Sequence, residues 1–253
     1  MGKIRLIGRL DIKGPNLIKG VRFEGLRILG DPEEFAVNYY KQGIDELIYI
    51  DTVASLYGRN NLLEFLKKVV KKTFIPVTVG GGIRSVEDAE KFLNAGADKV
   101  AVNTAAVKNP KILEEIAKRF GSQCLVLIVD AKKKKENKWE LYTLQGRERT
   151  NIDVLDWIKK GTNHGVGEIL ITSIDQDGTL KGYDLDLIKN VSEISNVPLV
   201  VCGGAGELEH FNDVLKISKD INLALGTALH KDILKIKDIK TFLKNQGCSV
   251  RQI

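Results

Sequence analysis

Short runs of β-branched and aliphatic residues alternate along the chain with longer stretches of helical periodicity. The runs are IRLIGRLD, ELIYID, IPVTVG, DKVAVN, CLVLIVD, EILITS, PLVVCG and NLALGT. Each run is built around aliphatic residues, and a strand–helix rhythm of this kind builds a parallel sheet. The intervening stretches carry helix start signals: Asp31-Pro32 before EEFAVNYYKQG, Ser85 before VEDAEKFLNAG and Asn109-Pro110 before KILEEIAKRFG. Gly43, Gly96 and Gly121 stand where those helices should end. With eight such units and no dinucleotide-type glycine fingerprint, a closed barrel is favoured over a doubly wound open sheet. The segment 131–150, with KWELYT near its centre, breaks the rhythm and reads as a hairpin excursion after the fifth run.

The two halves of the pattern resemble each other. DELIYID matches GEILITS, setting Glu46 opposite Glu168, and VGGGIRSVEDAEKF matches VCGGAGELEHFNDV, setting Gly81 opposite Gly203. Asp11 and Asp130 end the first run of each half, and Asn103-Thr104 and Gly226-Thr227 end the last. A repeat of this period makes each half a (βα)4 unit, so chemistry in one half is expected in the other across a pseudo-twofold axis. The expected fold is therefore an α/β one, a (β/α)8 TIM barrel of two half-barrel repeats, with residues 1–253 as a single domain and no linker to divide them.

Composition narrows the function. An apolar fraction of 43% with 28% charged residues fits a folded globular chain. The N-terminal apolar stretch is too short and interrupted for a signal peptide, and no run approaches a membrane span, so a cytoplasmic protein is expected. Three cysteines, widely spaced and without a CxxC, suggest neither a disulfide framework nor a zinc site. The net charge of +6 comes largely from scattered lysines and the run Lys132 to Lys135, without a nucleic-acid recognition motif. Neither nucleic acid nor a membrane is an expected partner, and no metal or cofactor is called for.

Barrel active sites lie at the C-terminal ends of the strands. There, Gly80-Gly81-Gly82 with Asn103-Thr104 forms one cluster of backbone N–H groups, and Asp177-Gly178-Thr179 with Gly203-Gly204 and Gly226-Thr227 forms a second. One glycine triplet alone is a turn. Two clusters related by the repeat read as two phosphate cradles, which implies an elongated bisphosphate substrate. Asp11 and Asp130 stand between the cradles, diametrically opposed, and can serve as general acid and base. At strand ends facing an open mouth they should contribute little to stability. Lys19, in the stretch KGPNLIKG, is placed on a loop able to fold over the mouth and bring a cation to the substrate. At the opposite end Arg5, Glu46, Lys99 and Glu168 begin four strands, where inward charges of both signs make either a satisfied ionic plug or a gate for a small neutral molecule such as ammonia.

Over nearly the whole chain these residues resemble the cyclase subunit of imidazole glycerol phosphate synthases. The resemblance rests on LDIKG, GLRILGDP, TVGGGIRSVEDAEKFLNAGADKVAVNTAAVKNP, FGSQC, VDAK, GEILITSIDQDGT, GYDLDLI and GGAGELEHF. It implies a lyase that takes ammonia from a partner glutaminase docked at the barrel floor. That ammonia would be used on a phosphoribulosyl-formimino aminoimidazole carboxamide ribonucleotide, in histidine biosynthesis. It further implies that Asp11 and Asp130 are the acid and base, that the glycine clusters hold the phosphates, that the floor charges gate ammonia, and that Asp98 lies at the glutaminase interface. Three departures stand out: Arg9 where the family usually has cysteine, Gly14-Pro15-Asn16 in place of an Asp-Gly-Arg-like turn, and Cys202 in place of a small serine. RLDIKGPNLIKG and VASLYGRN also resemble a paralogous branch tied to surface-sugar gene clusters, whose members help install amidino groups. That branch is the alternative. Arg9, two residues before Asp11 on the same strand face, is expected to lower the proton affinity of that carboxylate.

Overall fold

The computed structural model describes residues 3–54 and 62–251. Of the VASLYGRN stretch, the part from residue 55 onward lies outside the described residues. Eight strands form the predicted barrel: β1 (Leu6–Lys13), β4 (Glu46–Asp51), β5 (Val77–Gly80), β6 (Lys99–Val102), β7 (Leu125–Lys135), β10 (Glu168–Ser173), β11 (Leu199–Cys202) and β12 (Asn222–Leu225). Every neighbouring pair in that order is parallel, and β12 pairs back onto β1, which closes the sheet. Among the described residues no helix is long and apolar enough to cross a membrane.

Strand alternation divides the core in two. Ile7, Ile48, Ile50, Val126, Ile128, Leu170 and Val200 belong to a cluster inside the barrel. Their sequence neighbours, such as Leu47, Tyr49, Leu127 and Ile169, belong to a larger cluster shared with the helices. Both faces are dry, which is why the sequence shows apolar runs without polar alternation. The helices start as predicted: Asp31 accepts a hydrogen bond from the Glu33 N–H at 2.7 Å to open α1 (Pro32–Lys41), and Ser85 accepts from Asp88 N–H to open the helix Val86–Asn94. Pro110, not Asn109, caps the helix Lys111–Phe120, while Asn109 Oδ1 accepts from the Lys111 N–H.

Two segments depart from expectation. The excursion after the fifth barrel strand is a three-stranded meander, because β7 runs on to Lys135 and pairs with β8 (Lys138–Thr143), which pairs with β9 (Glu148–Asp153). Buried Glu140 fixes the third strand by accepting from Arg149 and from the Asn151 N–H, a tertiary contact the local pattern does not reveal. The stretch KGPNLIKG is likewise no loop. It enters a hairpin of β2 (Asn16–Val21) and β3 (Glu24–Gly30), whose β2 pairs with β1.

Candidate active site

Side chains at every second position of a barrel strand point into the lumen. Arg5, just before β1, and Ile7, Arg9 and Asp11 on it follow this period from the floor through the apolar lumen to the mouth. Asp130 on β7 arrives at the same level from the far side. Both carboxylates are buried, so neither lies open at the mouth. Asp11 is the hub of an ion network: Arg9 Nε meets its Oδ1 at 3.0 Å and Lys19 Nζ lies 3.4 Å from its Oδ2. Lys19 is in turn clamped by both carboxylate oxygens of Asp177 at 2.8 Å. The expectation that Asp11 contributes little to stability is therefore corrected: removing its charge strands a buried guanidinium. Lys19 also differs from expectation, being a buried residue of β2 and not a swinging loop cation.

The pair is symmetric in sequence and asymmetric in charge. Burial acts to raise the proton affinity of Asp11, but the charges of Arg9 and Lys19, with the hydrogen bond from Arg9, hold its pKa below the ordinary value. Asp130 has Ile128 where Asp11 has Arg9, and its nearest partner is Asn103, whose Nδ2 donates to Oδ2 at 3.0 Å. Burial pushes Asp130 up to about 7, with the negative charge of Asp11 adding to the rise and Arg9 and Asn103 opposing it. Near neutral pH one carboxylate is ionised and the other is half protonated, the arrangement acid–base catalysis requires.

The two glycine clusters flank this pair. Gly81, Gly82, Asn103 and Thr104 line a cavity of about 240 Å³ that reaches Asp130, with Arg84 and Lys108 on its wall. Gly178, Gly203, Gly204, Gly226 and Thr227 line the second hollow. Among the described residues, no backbone oxygen accepts the N–H of Gly81, Gly82, Gly203 or Gly204. Gly204 shows why the residue type matters: its φ of +108° is left-handed, and a Cβ there would strike the carbonyl oxygen of Gly182. Asp177 does not fit the cradle role. Its N–H is spent on Ser173 O at 2.9 Å and its carboxylate faces Lys19, so it offers an anion no donor.

At the floor the four charges close into a ring. Arg5 reaches Glu46 and Glu168 at 2.8 Å, and Lys99 reaches Glu168 at 2.9 Å and Glu46 at 3.4 Å, so each cation bridges both carboxylates. Asp98 is exposed on the same face, and its carboxylate accepts from the Val77 N–H at 2.8 Å.

A family model described as "Histidine biosynthesis protein" matches residues 5–235. The chain belongs to that histidine biosynthesis family. Named relatives agree: an imidazole glycerol phosphate synthase subunit HisF from Legionella pneumophila is 61% identical over 84% of this chain and 100% of its own length. One from Helicobacter hepaticus is 47% identical over 98% of both chains, and one from Dictyoglomus thermophilum is 46% identical over the same share.

Within this histidine biosynthesis fold, sequence reasoning missed three participants. Asn222 accepts from the Arg5 N–H at 3.0 Å and from Arg5 Nε at 3.2 Å, and so extends the floor ring. The repeat pointed to it, since Asn222 begins the strand equivalent to the one begun by Lys99. Thr172 Oγ1 accepts from Arg9 Nη1 at 2.7 Å, across the barrel, and no local pattern foretells that contact. His230, stacked on Tyr39 and bonded to its hydroxyl at 2.6 Å, is held by burial at a pKa of about 4 and is neutral beside the second hollow.

Proposed function

We propose that this chain is the ammonia-using cyclase of an imidazole glycerol phosphate synthase, a lyase of histidine biosynthesis that works as one subunit beside a glutaminase. It joins ammonia to the phosphoribulosyl form of formimino aminoimidazole carboxamide ribonucleotide and releases imidazole glycerol phosphate, aminoimidazole carboxamide ribonucleotide and water. The observation that carries the reading is one line of features along the barrel axis. A charged ring at the floor leads to a dry lumen, and the lumen leads to two carboxylates of separated proton affinity between two glycine cradles.

Each part has a task. The glutaminase docks at the floor, with Asp98 on the contact face, and delivers ammonia to the ring of Arg5, Glu46, Lys99 and Glu168. The ring opens transiently, and the apolar lumen passes neutral ammonia while disfavouring ions. Gly81, Gly82, Asn103 and Thr104 hold one phosphate, and Gly178, Gly203, Gly204, Gly226 and Thr227 hold the other. Asp11, ionised, takes protons from the attacking nitrogen. Asp130, carrying a proton, supplies one to the departing group. Lys19 keeps Asp11 ionised and, once substrate displaces it from the carboxylates, presents a cation to it. The shared name of the relatives and the two cradles favour this acceptor over an amidinated sugar, which would leave a cradle unmatched.

The test is to incubate the purified chain with the phosphoribulosyl precursor and ammonium salt at mildly alkaline pH. Aminoimidazole carboxamide ribonucleotide should form, and glutamine should replace ammonium only when the glutaminase is present. A folded, phosphate-binding protein that makes no product would overturn the reading.

A further inference from the structure

Arg9 is 1% exposed and stands on β1 between the apolar lumen and the carboxylates. Two of its three nitrogens are spoken for: Nε bonds Asp11, and Nη1 bonds Thr172 Oγ1 at 2.7 Å and lies 3.8 Å from Cys202 Sγ. Nη2 is buried and hydrogen-bonds to no protein atom among the described residues. Nε and Nη1 are both held, so the planar guanidinium cannot turn to satisfy Nη2 without breaking one of those bonds. The Phe23 ring covers the guanidinium at 5.7 Å, limiting the access of bulk water. Buried donors are nearly always paired, and one left bare on a guanidinium bonded to a candidate catalytic carboxylate points to an acceptor from outside the chain. The barrel does not demand a cation there, since the repeat places Ile128 at the equivalent position.

We propose that Arg9 is a substrate-binding residue of this chain, whose Nη2 donates a hydrogen bond to the oxygen the acceptor carries between its two phosphates, the ketone of the ribulosyl arm. The inference deepens the proposed function and rests on it. A phosphate is the wrong ligand for this nitrogen, because the phosphates belong to the two glycine cradles and Arg9 lines neither of them. The Nη2 donor of a guanidinium already neutralised by Asp11 suits a neutral carbonyl oxygen. Thr172 and Cys202 fix the plane of the group, so the donor is aimed before substrate arrives.

The test compares wild type with Arg9→Lys and Arg9→Met in ammonium-driven turnover of the phosphoribulosyl precursor. Lysine keeps the charge beside Asp11 but not the Nη2 donor, and methionine keeps the apolar stem and loses both. KM for the precursor should rise about 10- to 100-fold in both variants, the range for a buried charge-assisted hydrogen bond, while the affinity for inorganic phosphate stays unchanged. The acid limb of the pH profile should move to higher pH in Arg9→Met and stay in place in Arg9→Lys. Thr172→Val, which frees the guanidinium to turn at little change in volume, should raise KM severalfold and decides the matter if both Arg9 variants fail to fold. An unchanged KM overturns the proposal, whether kcat falls, the ratio of glutamine- to ammonium-driven rates changes, or only the melting temperature drops. Wild-type protein that makes no product overturns the proposed function and this inference together.

Discussion

Asp11 and Asp130 are one residue type in two electrostatic settings, and their variants should part company. Asp11→Asn leaves Arg9 buried beside a neutral amide, which costs about 3 kcal/mol. In a chain of this size that is roughly 6 to 12 °C in melting temperature. Turnover should fall at least about 100-fold. Asp130→Asn should also abolish most turnover, yet its effect on stability has the opposite sign. A carboxyl whose folded pKa is raised to about 7 contributes its stability below the unfolded value and loses it as pH rises through about 7. The neutral variant escapes that loss, so above neutrality Asp130→Asn should melt higher than wild type and at acid pH it should not. A lower melting point at both pH values would contradict the buried, nearly unpartnered setting of this carboxyl. The same pKa shapes the rate: at fixed free ammonia, turnover should decline as pH rises through about 7, as the proton on Asp130 is lost. A profile flat through that range would remove Asp130 from the role of acid.

At the scale of elements, backbone geometry matters more than side-chain chemistry. The second cradle depends on glycine at a left-handed φ of +108°, where Gly204 also comes close to the Gly182 carbonyl. Gly204→Ala must move one of those segments, so phosphate affinity measured by calorimetry should fall about tenfold or more, and stability by about 1 to 3 kcal/mol. Affinity equal to wild type would mean that this cradle holds no anion. The hairpin of β2 and β3 carries a different lesson. KGPNLIKG reads as a loop because Gly14, Pro15 and Gly20 interrupt it, yet its NLIKG part pairs with β1 and carries Lys19 to Asp177, far away in sequence. Strand pairing of an excursion is set by what lies beside it, which local composition does not encode.

For the whole molecule, closure of the barrel decides what the charged groups do. Arg5 just before β1, and Glu46, Lys99 and Glu168 at the starts of three other strands, meet across the floor of the closed barrel. Lys99→Ala opens one corner of that ring, and should reduce glutamine-driven turnover in the complex severalfold more than ammonium-driven turnover; equal losses would mark the ring as a structural plug. The barrel, its strand ends, the two glycine clusters and the paired aspartates were legible in the sequence alone. Each is written in local periodicity, in glycine punctuation or in the internal repeat. The environment of each group was decided only by the tertiary structure. Asp177 was read as a cradle residue and proves to be the clamp on Lys19, and Arg9 was foreseen beside Asp11 but not its bond to Thr172 or its bare Nη2. Desolvation and through-space charge depend on distances between residues far apart in the chain, and only the closed barrel sets those distances.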